Sequence, residues 1–195
     1  RNSSSELSTQ DPLIKYADRI VDLMGSGTSS LSSALDQFFT AASNLSSDPA
    51  SRPLRNLFLR DADGLAIRFR ELSGQLSNIE QETQAEINSK LTTLNELGKQ
   101  LVTVNEQLAK KATLNGQPPD LLDKRDGILR DMAEIAKIHV KQTASGTVEV
   151  KLDDQNGTTV VDVNRATVFS ATFDANQPGQ VSIKRCTKNS CSVYI

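Results

Sequence analysis

Tryptophan is absent, histidine occurs once, cysteine twice, and aromatic residues make up only 4% of the 195-residue chain. Each scarcity removes a class of function. The single histidine, His139, sits in "KIHVKQ", which reads as a surface strand, so no Ser/His/Asp constellation can be assembled. Six Phe and two Tyr, mostly at apolar-patterned positions, give no stacking platform for bases or sugars. The 22 basic residues nearly balance 24 acidic ones, and no Lys/Arg run exceeds "KK" at 110–111. That leaves no electrostatic footprint for nucleic acid. No apolar run approaches the ~20 residues of a membrane helix, and "RNSSSELSTQDP" lacks the apolar stretch of a secretory signal peptide. "GSGTSS" lacks the Lys-Ser/Thr ending of a phosphate loop and reads as a bend. Cys186 and Cys191, in "CTKNSC", supply at most two zinc ligands, with His139 remote. Their four intervening residues permit a small disulfide loop or two free thiols on adjoining strand ends, and both readings stay open. The chain begins without Met and stops inside the strand-like "CSVYI", so it reads as a piece of something longer.

What is present is long-range helical patterning, in a chain long enough for one or two domains with a core. A short helix opens at "DPLIKYADRIVDLMG", with Asp11 as cap, Pro12 in the first turn and Gly25 as stop. Leu13, Ala17, Ile20 and Met24 line one face of it. A second helix follows, with Leu31, Leu35, Phe38, Ala42 and Leu45 at helical spacing. "SSDPAS" breaks it, and Ser51-Arg52-Pro53 starts a third that meets no proline from Leu54 to Thr113. Unbroken over about 52–112, this helix would span ~90 Å. Its stripe Leu65, Phe69, Leu72, Leu76, Ile79 has heptad spacing. Ile79, Thr83, Ile87 and Leu91 then step by four, a stutter that locally unwinds a supercoil.

A single rod cannot bury its own stripe. The "SSDPAS" turn folds residues 30–45 against its beginning, and "LNGQPP" folds a fourth helix, about 120–136, against its end. Residues 70–90 are left without a partner, so Leu76, Ile79 and Ile87 are expected to be undercovered. From Ile138 the period becomes two: "HVKQT", "TVEVKL", "TTVVDV" and "TVFSATF" read as strands separated by turn signals. The expected class is α+β. A helical rod domain occupies 1–137, and a β-rich domain, incomplete at its C-terminal end, occupies 138–195.

"PPDLLDKRDGIL" (118–129) is the densest cluster of chemistry-bearing groups, with Asp120, Asp123 and Asp126 around Lys124 and Arg125. Acid–base catalysis by a carboxylate pair needs a cleft that pushes the two pKa values apart. Here Lys124 and Arg130 stand four residues from Asp120 and Asp126, so local pairing already accounts for two of them. A calcium loop needs glycine and alternating oxygen ligands in a turn, whereas this is helix. The residues point to no enzyme, metal or cofactor. Acids in a first helical turn favour the positive end of its dipole. The apolar face Leu121, Ile128, Met132, Ile135 includes residue 125. Arg125 is thus expected in a buried face, where a cation is costly unless paired. Candidate partners are Asp123, Asp126, Asn105, Glu106 or late carbonyls of the rod. Gly98, inside the long helix, is expected to mark a close approach of the returning helix near Met132, a tolerated surface glycine being the alternative.

"FFTAASNLSSDPASRPLR", the asparagine-marked "INSKLTTLNELGKQLVTVNEQL" and "PPDLLDKRDGILRDMAEIAKIHV" followed by "SGTVEVKL" resemble the flagellar hook-associated protein 1 family. The resemblance covers about residues 30–152, and "DLLDKRD" after the long helix is its most specific part. It implies a non-catalytic structural subunit joining hook to filament, extracellular, exported by the type III route without a cleaved signal. It also implies as partners copies of itself and neighbouring hook and filament-side axial proteins. The family's terminal helical segments are not in this chain, so a trimmed, monomeric core is expected. Its cysteine pair is unlike the usual cysteine-poor axial proteins. The rival reading is a helical-bundle interaction module or secreted effector that shares only the rod pattern.

Overall fold

The computed structural model describes residues 18–21, 30–111, 116, 118–154, 156–177, 179–187 and 190–193. Asp11, Pro12, Leu13, Ala17, Met24 and Gly25 of the first expected helix, and Leu114, Asn115 and Gln117 of the "LNGQPP" turn, lie outside the described residues. Helical residues 18–21 precede α1 (Leu31–Ser47), α2 (Arg52–Lys111) and α3 (Pro119–Ile135). The described strands are β1 (Ile138–Gln142), β2 (Val148–Leu152), β3 (Thr159–Asp162), β4 (Arg165–Ala166), β5 (Val168–Phe173), β6 (Val181–Thr187) and β7 (Ser190–Val193). They form two antiparallel sheets, ordered β1-β2-β3-β4 and β5-β6-β7. The fold is α+β.

The chain gathers into two compact units, one within residues 13–82 and the other built on residues 83–195. The sequence boundary at 137/138 marks a change of period. The units divide instead at Glu82/Thr83, because the strands pack on the second half of α2.

In the 13–82 unit, the Ser30 hydroxyl caps α1 by accepting from the Ser33 amide at 3.1 Å. Asp48 and Pro49 end that helix. The Pro49 carbonyl then accepts two guanidinium bonds from Arg55, at 2.9 and 2.7 Å, which fixes the entry of α2. Phe38 meets Phe58 with ring centroids 5.3 Å apart, so α1 does lie on the first turns of α2. Ala41 and Ile79 are buried here. Burial of Ile79 corrects the expectation of an uncovered mid-helix, and Ile87, in the other unit, is half-buried. Arg19, in helical residues 18–21, pairs with Glu82 one turn beyond Ile79. Leu76 alone of the three is exposed.

In the 83–195 unit one apolar core joins three sources. α2 gives Leu94, Leu97, Leu101, Val104 and Leu108; α3 gives Leu121, Ile128 and Met132; the strands give Val148, Val150, Val160, Val161 and Phe169. Each such side chain stabilises by roughly 1.5–3 kcal/mol relative to exposure. The first sheet bulges between Val150 and Lys151. Its last turn, after Asp162, puts Val163 at φ 27°, a left-handed conformation unusual for a β-branched residue.

Candidate functional site

Two asparagines of α2 reach out of the helix and act on strand backbones. The Asn105 amide nitrogen donates to the carbonyls of Val148 (2.8 Å) and Val163 (2.7 Å), and its oxygen accepts from the Val148 amide at 3.0 Å. Asn95 does the same to one residue of β5: its nitrogen donates to the Phe169 carbonyl and its oxygen accepts from the Phe169 amide, both at 2.8 Å. Each carboxamide presents a donor and an acceptor side by side, as a neighbouring strand residue would. Asn105 and Val148 are each 1% exposed, so the carboxamide satisfies a Val148 amide and carbonyl that water cannot reach. It also holds the carbonyl of strained Val163. Asn105 was a candidate partner for Arg125; its bonds go instead to Val148 and Val163. Asn95 escaped the sequence reading as a site residue, although an amide on a stripe shared with Gly98 and Asn105 is a visible signal.

Gly98 lies between those asparagines and faces the first sheet, not the returning α3. A Cβ there would stand 3.4 Å from the Ala166 Cβ and 3.7 Å from Val161 Cγ2. The expected approach to Met132 is thus corrected: counting back through the helical hairpin could not include a strand some 60 residues later.

α3 starts with Pro118 as its cap residue, Pro119 in the first turn and Asp120 at the positive end of the helix. Its buried face is Leu121, Arg125, Ile128 and Met132. Arg125 is 8% exposed. Its Nε and Nη2 donate to one Asp126 oxygen at 2.8 and 2.7 Å, and Nη1 donates to the Gly146 carbonyl at 2.8 Å. The partners are the next residue and the β1–β2 turn, where Gly146 has φ 77°. Neither Asn105 nor Glu106 takes part. Asp126 answers Arg125 rather than Arg130, and Asp120, Asp123 and Asp126 all face solvent. They do not converge on a cleft.

Across β1 and β2, Asp153 accepts from Lys137 at 2.7 Å and pairs with His139 at 2.6 Å. Lys137 first, and His139 second, hold this carboxyl below its ordinary range. His139 itself is largely exposed on β1. Among the described residues no group of three or more His, Cys, Asp or Glu side chains could hold a metal ion, and no helix is long and apolar enough to cross a membrane.

The other feature with binding character is an apolar face in the 13–82 unit. Leu59, Phe69 and Leu76 of α2 are 64%, 49% and 43% exposed, and Phe39 of α1 is 64% exposed. Leu76 follows Phe69 by seven residues, two helical turns, with Ala62 and Ala66 between Leu59 and Phe69. Scattered apolar residues at a surface are ordinary, whereas an apolar strip along one helix face marks a contact surface.

Comparison with known proteins fits this picture of a helical scaffold. Residues 17–193 match the family described as the flagellar hook-associated protein FlgK helical domain. The chain is 26% identical over 185 residues to flagellar hook-associated protein 1 of Salmonella typhimurium, covering 94% of this chain and 32% of that protein. It is 28% identical over 168 residues to the Bacillus subtilis protein of that name, covering 79% of this chain and 33% of the other. The solved structure of the flagellar hook junction protein FlgK from Burkholderia pseudomallei superposes over 98% of this chain, with a TM-score of 0.83 at 20% identity. The chain spans about a third of the length of these relatives.

Proposed function

The chain belongs to the FlgK helical-domain family of flagellar hook-associated proteins, and we propose that it is the core of a non-catalytic structural subunit at the junction of hook and filament. The observation that carries this reading is the contrast between a sealed core at residues 94–108 and the apolar face Leu59, Phe69, Leu76 left in solvent on the same helix. A scaffold subunit needs a rigid body and a surface that a neighbour covers. In the whole protein the partners would be copies of itself and the adjoining hook-side and filament-side axial proteins. The subunit would work outside the cell after type III export, and the isolated chain would sediment as a monomer. Arg125, Asn105, Gly98 and the acids Asp120, Asp123 and Asp126 are then framework residues, not reactants.

The test is genetic. The full-length protein carrying Leu59→Asp and Phe69→Asp would be expressed in a flagellated strain deleted for its own copy. Normal export and an unchanged helical spectrum of the purified protein, combined with lost swimming and filaments shed from their hooks, is the expected result. Wild-type swimming with intact filaments would overturn the assignment of that face.

A further inference from the structure

We propose that Cys186 and Cys191 form a reversible redox clasp that holds the edge strand β7 on its sheet. The two cysteines face each other across the β6–β7 ladder, and their sulfurs are joined in a disulfide. Among the described residues β7 is the terminal strand of a three-stranded sheet and pairs only with β6. Among its described side chains none joins the apolar core of the 83–195 unit, which takes Phe169 from β5 and the flank of Ile183 from β6. Ser192 is exposed, and Val193 is 63% exposed. Four ladder pairs with little burial make a marginal strand, because a hairpin in water is barely stable without a covered face. A covalent tie between paired positions offsets that weakness by restricting the opened state. The tie is also within reach, since Cys191 is exposed while Cys186 is half-buried.

Opening requires two electrons. A thiolate of a soluble dithiol attacks Cys191 Sγ, forming a mixed disulfide and releasing Cys186 as a thiolate, which takes up a proton. The second thiol of the reagent then attacks the mixed disulfide and frees Cys191, which is protonated in turn, and the reagent leaves as its cyclic disulfide. Closure runs the other way with a small-molecule disulfide as oxidant, which departs as two thiols. The clasp is therefore shut in oxidising surroundings and open in reducing ones. In the open state β7 leaves, and the outer edge of β6 presents unpaired backbone groups to an added strand.

The experiment uses the full 195-residue chain in native buffer with dithiothreitol, followed by iodoacetamide labelling, circular dichroism and amide exchange read by mass spectrometry. Both cysteines should be labelled without denaturant. Exchange over Ser190–Val193 should rise on the order of tenfold or more, as expected for loss of a short-loop cross-link, while residues 94–108 and the helical signal stay unchanged. Oxidised glutathione should restore the starting pattern. The Cys186→Ser/Cys191→Ser variant should exchange like the reduced protein and ignore dithiothreitol. Labelling that needs denaturant would sink the proposal, as would unchanged β7 exchange after reduction or increased exchange spreading into the α2 core. The reduction arm on the unaltered chain decides even if the variant fails to fold.

Discussion

The two halves of α2 carry similar apolar patterns and meet different fates. From Leu94 to Leu108 the stripe is sealed: Leu101 and Leu108 are 0% exposed and Val104 is 1%. From Leu59 to Leu76 the helix keeps four large apolar residues, Leu59, Ile67, Phe69 and Leu76, in solvent. A sheet and a second helix close over the later half, whereas in the 13–82 unit α1 covers a narrower face through Phe38, Phe58 and Ala41. Helical periodicity therefore tells where a stripe is but not what covers it. Stability is concentrated where coverage comes from several elements at once.

The sharpest way to break the comparison is to truncate one residue in each half. Leu101→Ala should cost about 2–5 kcal/mol, the range for a fully buried leucine whose site cannot collapse. Phe69→Ala should change the stability of the isolated chain by less than about 0.5 kcal/mol, as exposed positions do. Equal losses in urea unfolding would mean that the earlier half is covered after all.

Next comes Asn105. Asn105→Ala strands the buried amide and carbonyl of Val148 and unties the half-buried Val163 carbonyl, with an expected cost of about 2–3 kcal/mol. Asn105→Asp keeps an acceptor for the Val148 amide but turns a carboxylate toward two carbonyls, so it should rescue little at neutral pH. If the aspartate variant melts like the parent, the carboxamide is not acting as a paired donor and acceptor.

Arg125 should matter somewhat less than a sealed ion pair would. Its Asp126 partner is 56% exposed and stays solvated when the arginine is removed. The lasting loss is the charged bond to the Gly146 carbonyl, so Arg125→Ala should cost about 1.5–3 kcal/mol. Lysine cannot grip Asp126 and Gly146 together and should recover only part of that loss. Chemical denaturation of both variants checks the order, and a lysine variant as stable as the parent would refute the forked contact.

The smallest effect is expected at Gly98. Alanine gains up to about 1 kcal/mol of helix propensity over glycine, and its methyl would meet Ala166 and Val161 at ordinary contact distances. Gly98→Ala should raise the melting temperature slightly. A lowered melting point would show that the sheet lies closer to α2 than those distances imply.

Much of the scaffold was legible because it obeys simple periods. Seven-residue steps and the absence of proline mark α2, the Ser51-Arg52-Pro53 start marks its beginning, and the change to period two after Lys137 marks the strands. Four-and-three steps place Arg125 on the apolar face of α3. The remainder depends on contacts between distant segments. Nothing near Gly98 in the chain announces Ala166, and nothing near Arg125 announces the Gly146 carbonyl, because each partner arrives through a sheet whose register is set elsewhere. The spacing of the cysteines left their state open. The β6–β7 register sets Cys186 opposite Cys191, where their sulfurs are joined.

The asparagine at position 95 also closes part of a strand's outer edge. Phe169 belongs to β5, the terminal strand of its sheet on the side away from β7, and its amide and carbonyl would otherwise form an open rung. The Asn95 carboxamide fills that rung with a group one residue long, so the Phe169 amide and carbonyl are already paired. A helix thus serves as a stopper for a sheet edge, at the cost of one polar residue on its apolar stripe.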